Sequence, residues 1–201
     1  MFEIELKAHV DDRKSVIEKL NGFASFLGAV QKDDVYWGKF DGEKKIQARI
    51  RKETPFNSDE VPFATKGEEH IFLTYKRKEI RTASDGTSCE VNDEKECTMS
   101  DAAALESLFS DLGLSVMLEK HKTVLGWSFE QLHLELCTVP PLGDFLEIET
   151  FAESNEPEVV LPLRKKLIES LKKCGIMEEK IENKYYSELL RENASKEKKS
   201  V

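Results

Sequence analysis

Carboxylates and basic groups recur in this chain at the two-residue spacing that a β-strand turns to one face. Phe2, Ile4, Leu6 and Val10 alternate with Glu3, Glu5, Lys7 and His9, and successive side chains of a strand point to opposite faces. The alternation returns at Gln47, Arg49 and Arg51, at Thr74, Lys76 and Lys78, and at Glu147 and Glu149. Glutamates so paired offer the oxygen ligands that hard divalent cations such as Mg2+ and Mn2+ take. Arginine grips phosphate by a two-pronged contact, and lysine acts on it as a point charge. Two arrangements would use such faces. The charged face can stand in water, as antiparallel sheets often allow, or the sheet can close into a barrel whose charged face lines a ligand tunnel. The alternation alone favours the solvated face. Glu and Lys are nevertheless depleted in strands, so a face this charged needs a reason.

The elements that would position these residues form a weak repeat. Glu3-x-Glu5, Glu94-x-Glu96 and Glu147-x-Glu149 each lead through polar capping residues into an amphipathic segment that closes at a glycine. The first runs from Asp11-Asp12 through Val16, Ile17, Leu20, Phe23, Ala24 and Leu27 to Gly28. The second runs from Ser100-Asp101 through Leu105, Leu108, Phe109 and Leu112 to Gly113. The third runs from Ser154-Asn155 through Leu163, Leu167, Ile168 and Leu171 to Gly175. Polar caps, apolar i, i+3/i+4 spacing and a terminal glycine predict a strand followed by a helix in each unit. Further strands are predicted at 34–40, 46–52, 71–81, 117–125 and 131–138. Hairpin turns are expected at Asp41-Gly42-Glu43 and Ser84-Asp85-Gly86. Residues 53–69, with Pro55, Asn57, Pro62 and Gly67, read as a long loop that could act as a lid. Pro140-Pro141 marks a bend inside the seventh strand region.

About eight strands with three helices predict an α+β fold: a closed eight-stranded antiparallel barrel with helices packed outside. Its hydrocarbon would face outward under the helices and its charge inward, inverting the usual small barrel. Unpaired charges there would cost several kcal/mol each, so carboxylates, basic groups, water and metal must satisfy one another. The reading places one domain over 1–190, a helical or strand-like segment before Leu190, and a charged, frayed tail over 191–201.

Bulk properties narrow the function. The 201 residues suffice for a substantial core, and a net charge of -9 argues against general nucleic-acid binding. A local basic pocket remains compatible with that charge. No apolar run approaches the ~20 residues of a membrane helix, and the acidic, strand-like start does not resemble a signal peptide. A cytoplasmic location without membrane attachment is therefore expected. Cys89, Cys97, Cys137 and Cys174 lack metal-ligand spacing and are expected to be reduced. His9 and His133 read as polar fillers, and His70 and His121 as histidines without nearby partners.

Taken together, the motifs resemble the CYTH superfamily, the triphosphate tunnel metalloenzymes. Glu3-Ile4-Glu5-Leu6-Lys7 matches its E-x-E-x-K signature, Arg49-Ile50-Arg51 its basic strand and Thr74-Tyr75-Lys76 its T-x-K strand. Glu94-Lys95-Glu96, Lys120-His121-Lys122, Leu142–Glu149 and Tyr185–Leu190 follow in the expected order, so the likeness spans nearly the whole chain. Lys122 stands where an arginine is usual, and Glu135 where relatives often place an aspartate. The resemblance implies a triphosphate clamp of Lys7, Arg49, Arg51, Lys76, Lys120 and Lys122. It also implies Mg2+ or Mn2+ on Glu3, Glu5, Glu147 and Glu149, with Glu94, Glu96 and Glu135 in a second metal site or in pairs with the basic residues. Lys76, Glu5 and Glu149 are the expected catalytic groups; if the reaction is triphosphate hydrolysis, Lys76 would be the general base provided crowding cations lower its pKa.

Leu142-Gly143-Asp144-Phe145 and the one-domain layout look most like class IV adenylyl cyclases, which make cyclic AMP and pyrophosphate from ATP. Thiamine triphosphatases and inorganic tripolyphosphatases are the hydrolase alternative, and a non-catalytic polyphosphate- or nucleotide-binding module is the third. Pure anion binding would not need the four terminal glutamates. A homodimer through an outer sheet surface or the last helix is compatible with the sequence.

Overall fold

The computed structural model describes the backbone of residues 2–41, 44–82 and 88–197. It describes the side chains of these residues except 41, 44–46, 76–82, 88–94 and 197. Eight antiparallel strands and four α-helices make up an α+β fold: β1 (Phe2–His9), α1 (Arg13–Phe23), β2 (Ser25–Asp41), β3 (Lys44–Phe56), β4 (His70–Thr82), β5 (Ser88–Met99), α2 (Ala103–Asp111), β6 (Ser115–Phe129), β7 (Leu132–Val139), β8 (Gly143–Ala152), α3 (Pro157–Lys173) and α4 (Tyr186–Glu197). The strands curl in the hydrogen-bonded order β1-β5-β4-β3-β2-β6-β7-β8, and β1 also pairs with β8. The lacing is uneven. Strands β2 and β3 pair over thirteen residues, whereas β1 meets β5 over the four residues Phe2–Glu5.

The apolar faces turn outward, as the alternation predicts. Ile4, Leu6 and Ala8 of β1 join Leu134 and Leu136 of β7 and Leu146 and Ile148 of β8 in one core. Val16, Ile17 and Leu20 of α1 and Val160, Leu167 and Leu171 of α3 cover them. Removing this hydrocarbon from water drives assembly, and it presses the charged faces together on the concave side. The core lies outside the curl of the sheet.

Helix α1 begins as expected, with the Asp12 carboxylate accepting a hydrogen bond from the Ser15 backbone N–H (3.0 Å). It ends at Phe23 rather than Gly28, and Ser25 already belongs to β2. Aromatic packing decides that boundary: Phe23 meets Phe129 edge-on at 5.0 Å, and Phe26 meets Trp127 at 5.3 Å. Two glycine-terminated helices do appear at α2 and α3. Helix α2 nevertheless buries no residue and leaves Leu108 and Leu112 about half exposed.

The loop after β3 is shorter than 53–69, because β3 continues to Phe56. It docks on the outer side of the sheet: Val61 enters the core, Arg13 donates to Glu60 (2.8 Å), and the Ala29 backbone N–H donates to Thr65 (2.7 Å). A lid over the concave face is not its role in this fold. Pro140-Pro141 forms the turn from β7 to β8 rather than a bend within a strand. Residues 191–197 continue α4 past Leu190. The predicted turns at Gly42-Glu43 and Ser84-Asp85-Gly86 lie outside the described residues. Among the described residues, Cys97, Cys137 and Cys174 are free thiols, and no helix is long and apolar enough to cross a membrane.

Candidate active site

The concave face of the sheet encloses a cavity of about 710 Å3, within the ~300–1,000 Å3 typical of small-molecule sites. Eleven of the thirteen site residues expected from sequence line it: Glu3, Glu5, Lys7, Arg49, Arg51, Glu96, Lys120, Lys122, Glu135, Glu147 and Glu149. The other two, Lys76 and Glu94, are paired across β4 and β5 in the backbone register, and their side chains lie outside the described residues.

Strand register explains how the charges meet. Glu5 stands opposite Glu149 and Lys7 opposite Glu147 across β1 and β8, and Glu135 stands opposite Glu147 across β7 and β8. Asp34 on β2 is flanked by Arg51 on β3 and Lys120 on β6. Its carboxylate takes Arg51 Nε at 2.6 Å, Arg51 Nη2 at 3.1 Å and Lys120 Nζ at 2.9 Å, with Arg49 Nε at 4.0 Å. One aspartate, 1% exposed, thus gathers three cations. From Arg49 a second relay runs through the buried Thr74, which accepts from Arg49 Nη2 (3.0 Å) and donates to Glu96 (2.9 Å).

A second cluster forms around Glu135, which accepts from Lys32 Nζ at 2.6 Å and Lys122 Nζ at 3.2 Å. Lys122 also donates to Glu147 at 2.6 Å. The segment before α4 closes one end of the cavity. The Glu182 backbone N–H donates to the Lys7 carbonyl (2.7 Å), Lys7 Nζ donates to the Lys184 carbonyl (2.6 Å), and the Tyr186 ring lies 4.4 Å from Lys7 Nζ and 4.9 Å from Lys120 Nζ.

The CYTH domain profile matches residues 1–186. The chain belongs to the CYTH family. It is 28% identical over 192 residues to a Methanocaldococcus jannaschii protein named "putative adenylate cyclase", covering 94% of this chain and 98% of that one. A solved Pyrococcus horikoshii structure is similar at 26% identity and a TM-score of 0.74, covering 95% and 99% of the two chains. A Vibrio parahaemolyticus structure, also described as a putative adenylate cyclase, shares the fold at a TM-score of 0.65 and 14% identity, covering 95% and 98%.

In this CYTH domain the lining is close to charge balance. Seven glutamates face six Lys and Arg side chains, with Asp34 buried behind them. The described wall therefore carries no surplus of positive charge for a polyanion. Oxygen-rich donors opposite one another on neighbouring strands, such as Glu5 and Glu149, repel, and the single imidazole of His133 beside Glu149 offsets this only in its protonated form. The donor set thus fits a hard divalent ion.

Among the site residues absent from the sequence-based set are Lys32, Asp34, Tyr36, Glu53, His133 and Tyr186. Asp34 and Tyr36 share one face of the strand predicted at 34–40, and Lys32 continues that alternation upstream once β2 is begun at Ser25. His133 is no filler, since its Nδ1 lies 3.0 Å from Glu149 Oε1. His121 has a partner as well, Asp33 at 2.6 Å, and His9 meets Glu182 at 3.2 Å.

Burial alone would raise the carboxyl pKa values here, but the cations outweigh it. Lys120 and Arg51 hold Asp34 well below the usual range, Lys32 and Lys122 do the same to Glu135, and Lys122 brings Glu147 to about 2. A depressed folded-state pKa contributes stability that is present above the unfolded value and lost as pH falls through the folded one. The urea midpoint should therefore drop steeply from about pH 5 towards 2. A midpoint flat from pH 5 to 3 would contradict these pairings. His133 has the opposite sign: its bond to Glu149 raises its pKa, so its contribution fades as pH rises through that value.

Proposed function

We propose that the curled sheet works as a closed triphosphate tunnel and that this chain is a metal-dependent adenylyl cyclase, converting ATP to cyclic AMP and pyrophosphate. The observation that carries the reading is the single cavity in which basic groups from four strands face carboxylates from several others. Lys7, Arg49, Arg51 and Lys120 would hold the triphosphate, with Lys76 added from the sequence pattern. Glu3, Glu5 and Glu149 would hold Mg2+ or Mn2+, which when bound neutralises phosphate charge and favours a pyrophosphate leaving group.

The ribose 3′-hydroxyl attacks the α-phosphorus, its proton passes to a base, and the bond to the β-phosphate oxygen breaks to release pyrophosphate. Arginines and lysines fixed beforehand would stabilise the charge that develops there without reorganising. Phe72, Leu118, Phe151 and Tyr185 also line the cavity. Such apolar groups suit a substrate with an organic portion better than bare tripolyphosphate. The name of the Methanocaldococcus jannaschii relative supports the cyclase choice.

Incubating the protein with ATP, thiamine triphosphate or tripolyphosphate and Mg2+ or Mn2+, then separating products by chromatography, tests this reading. Cyclic AMP with pyrophosphate is the expected result. Orthophosphate release would instead make the chain a triphosphate hydrolase, and tight binding without turnover would make it a binding module.

A further inference from the structure

Glu135 and Glu147 face each other across β7 and β8, and Cys137 follows Glu135 on the same face. Their donor atoms lie within 4.8 Å of one another, a span that one metal ion could bridge. The Lys122 ammonium already fills that space. Its Nζ lies 2.6 Å from Glu147 Oε2, 3.2 Å from Glu135 Oε2 and 3.5 Å from Cys137 Sγ. Lys32 Nζ takes the other Glu135 oxygen at 2.6 Å. All four members of the cluster around Lys122 are buried, and Lys122 itself is 3% exposed.

We propose that Lys122 is a tethered counter-cation that keeps divalent metal out of the Glu135–Cys137–Glu147 cluster and leaves metal binding to the Glu3, Glu5 and Glu149 end of the cavity. This rests on the metal-dependent reading above. To bind at the cluster, an ion would have to displace a buried ammonium and remain beside both it and Lys32. Like charges at that distance in a dry interior repel strongly. Glu149 is the more accessible carboxylate: its side chain is 28% exposed, against 11% for Glu147 and 10% for Glu135, while Glu3 is buried as they are. A hard, hydrated ion that sheds water reluctantly favours Glu149 over the buried pair.

What the role requires is a fixed positive charge between two carboxylates and a thiol, which the Lys122 ammonium supplies. Lys122 is thus a positioning residue: it fixes Glu135 and Glu147 and sets which carboxylates remain for metal.

Cobalt tests the inference, because its bond to a thiolate gives a charge-transfer absorption that carboxylate ligands do not. As that bond forms, the Cys137 thiol loses its proton to solvent, since coordination deprotonates a thiol. The full-length protein is titrated with Co2+ and no triphosphate, reading the near-ultraviolet band and, by equilibrium dialysis, ions bound per chain. The wild type should show no thiolate band at saturation. Lys122→Gln should gain the band and one additional ion, and Cys137→Ser in that background should lose the band. Lys122→Arg keeps the charge and should exclude cobalt from the thiol as the wild type does. A wild-type band abolished by Cys137→Ser would overturn the proposal, whatever the variants do. So would a folded Lys122→Gln protein that gains no ion. Because no triphosphate is present, failure here leaves the cyclase reading standing, and an absence of turnover there leaves this result standing.

Discussion

Asp34→Ala should destabilise the protein by about 3–5 kcal/mol, the cost of removing one partner from a buried ionic cluster. For a chain of this length that corresponds to a fall in Tm of about 10 °C. The effect is large because Asp34 is 1% exposed and is the shared acceptor for Arg51 and Lys120, whose side chains are only 12% and 6% exposed. Without it, cations brought together by strand register repel one another with little water to screen them. Asp34→Asn should lose nearly as much, since shape is preserved but the charge is not. Thermal and urea unfolding monitored by circular dichroism give the measurement. A loss below about 1 kcal/mol would show that water or neighbouring carboxylates already neutralise these cations, and Asp34 would no longer organise the basic side of the cavity.

The residues that became the cavity wall were legible because their spacing is strict. Glu3-x-Glu5-x-Lys7, Arg49-x-Arg51 and Glu147-x-Glu149 keep a period of two between hydrocarbon neighbours, and the sheet places them together on the concave side. Lys32 was not legible in the same way. It follows a segment whose apolar residues, Phe23, Ala24 and Leu27, also satisfy a helical period, and only contacts with Phe129 and Trp127 convert Ser25 onward into strand. A boundary set by residues about a hundred positions away leaves no local trace.

Pairing was the other thing periodicity could not convey. Spacing says that Lys122 and Glu147 share a concave face, but not that an ammonium will settle between two carboxylates. Register and tilt decide that. The sequence resemblance groups Lys122 with phosphate-binding residues, and the structure surrounds it with Glu135, Glu147 and Cys137. The loop after β3 teaches the same lesson at larger scale: its composition announces a loop, and only Val61 and Thr65 show which face it covers.

Glu5→Gln should lower metal-dependent turnover by more than about 100-fold, because outer-sphere partners of a metal already cost 10- to 100-fold when removed. Glu5 stands directly across from Glu149 and, like it, lines the cavity. Glutamine keeps its length and shape but lacks the negative charge that a divalent ion requires. Glutamine at this position relieves repulsion between two opposed carboxylates while its amide can still hydrogen-bond, so folding stability should change far less than in Asp34→Ala. That combination separates a functional role from a structural one, since Asp34→Ala should lose much stability and Glu5→Gln little. Mn2+ binding followed by electron paramagnetic resonance should weaken in parallel with turnover. Turnover that survives Glu5→Gln at low metal concentration would remove Glu5 from the metal site and move the ion elsewhere along the wall. Turnover recovered by raising Mn2+ would instead show that Glu5 sets affinity for the ion while Glu3 and Glu149 still position it.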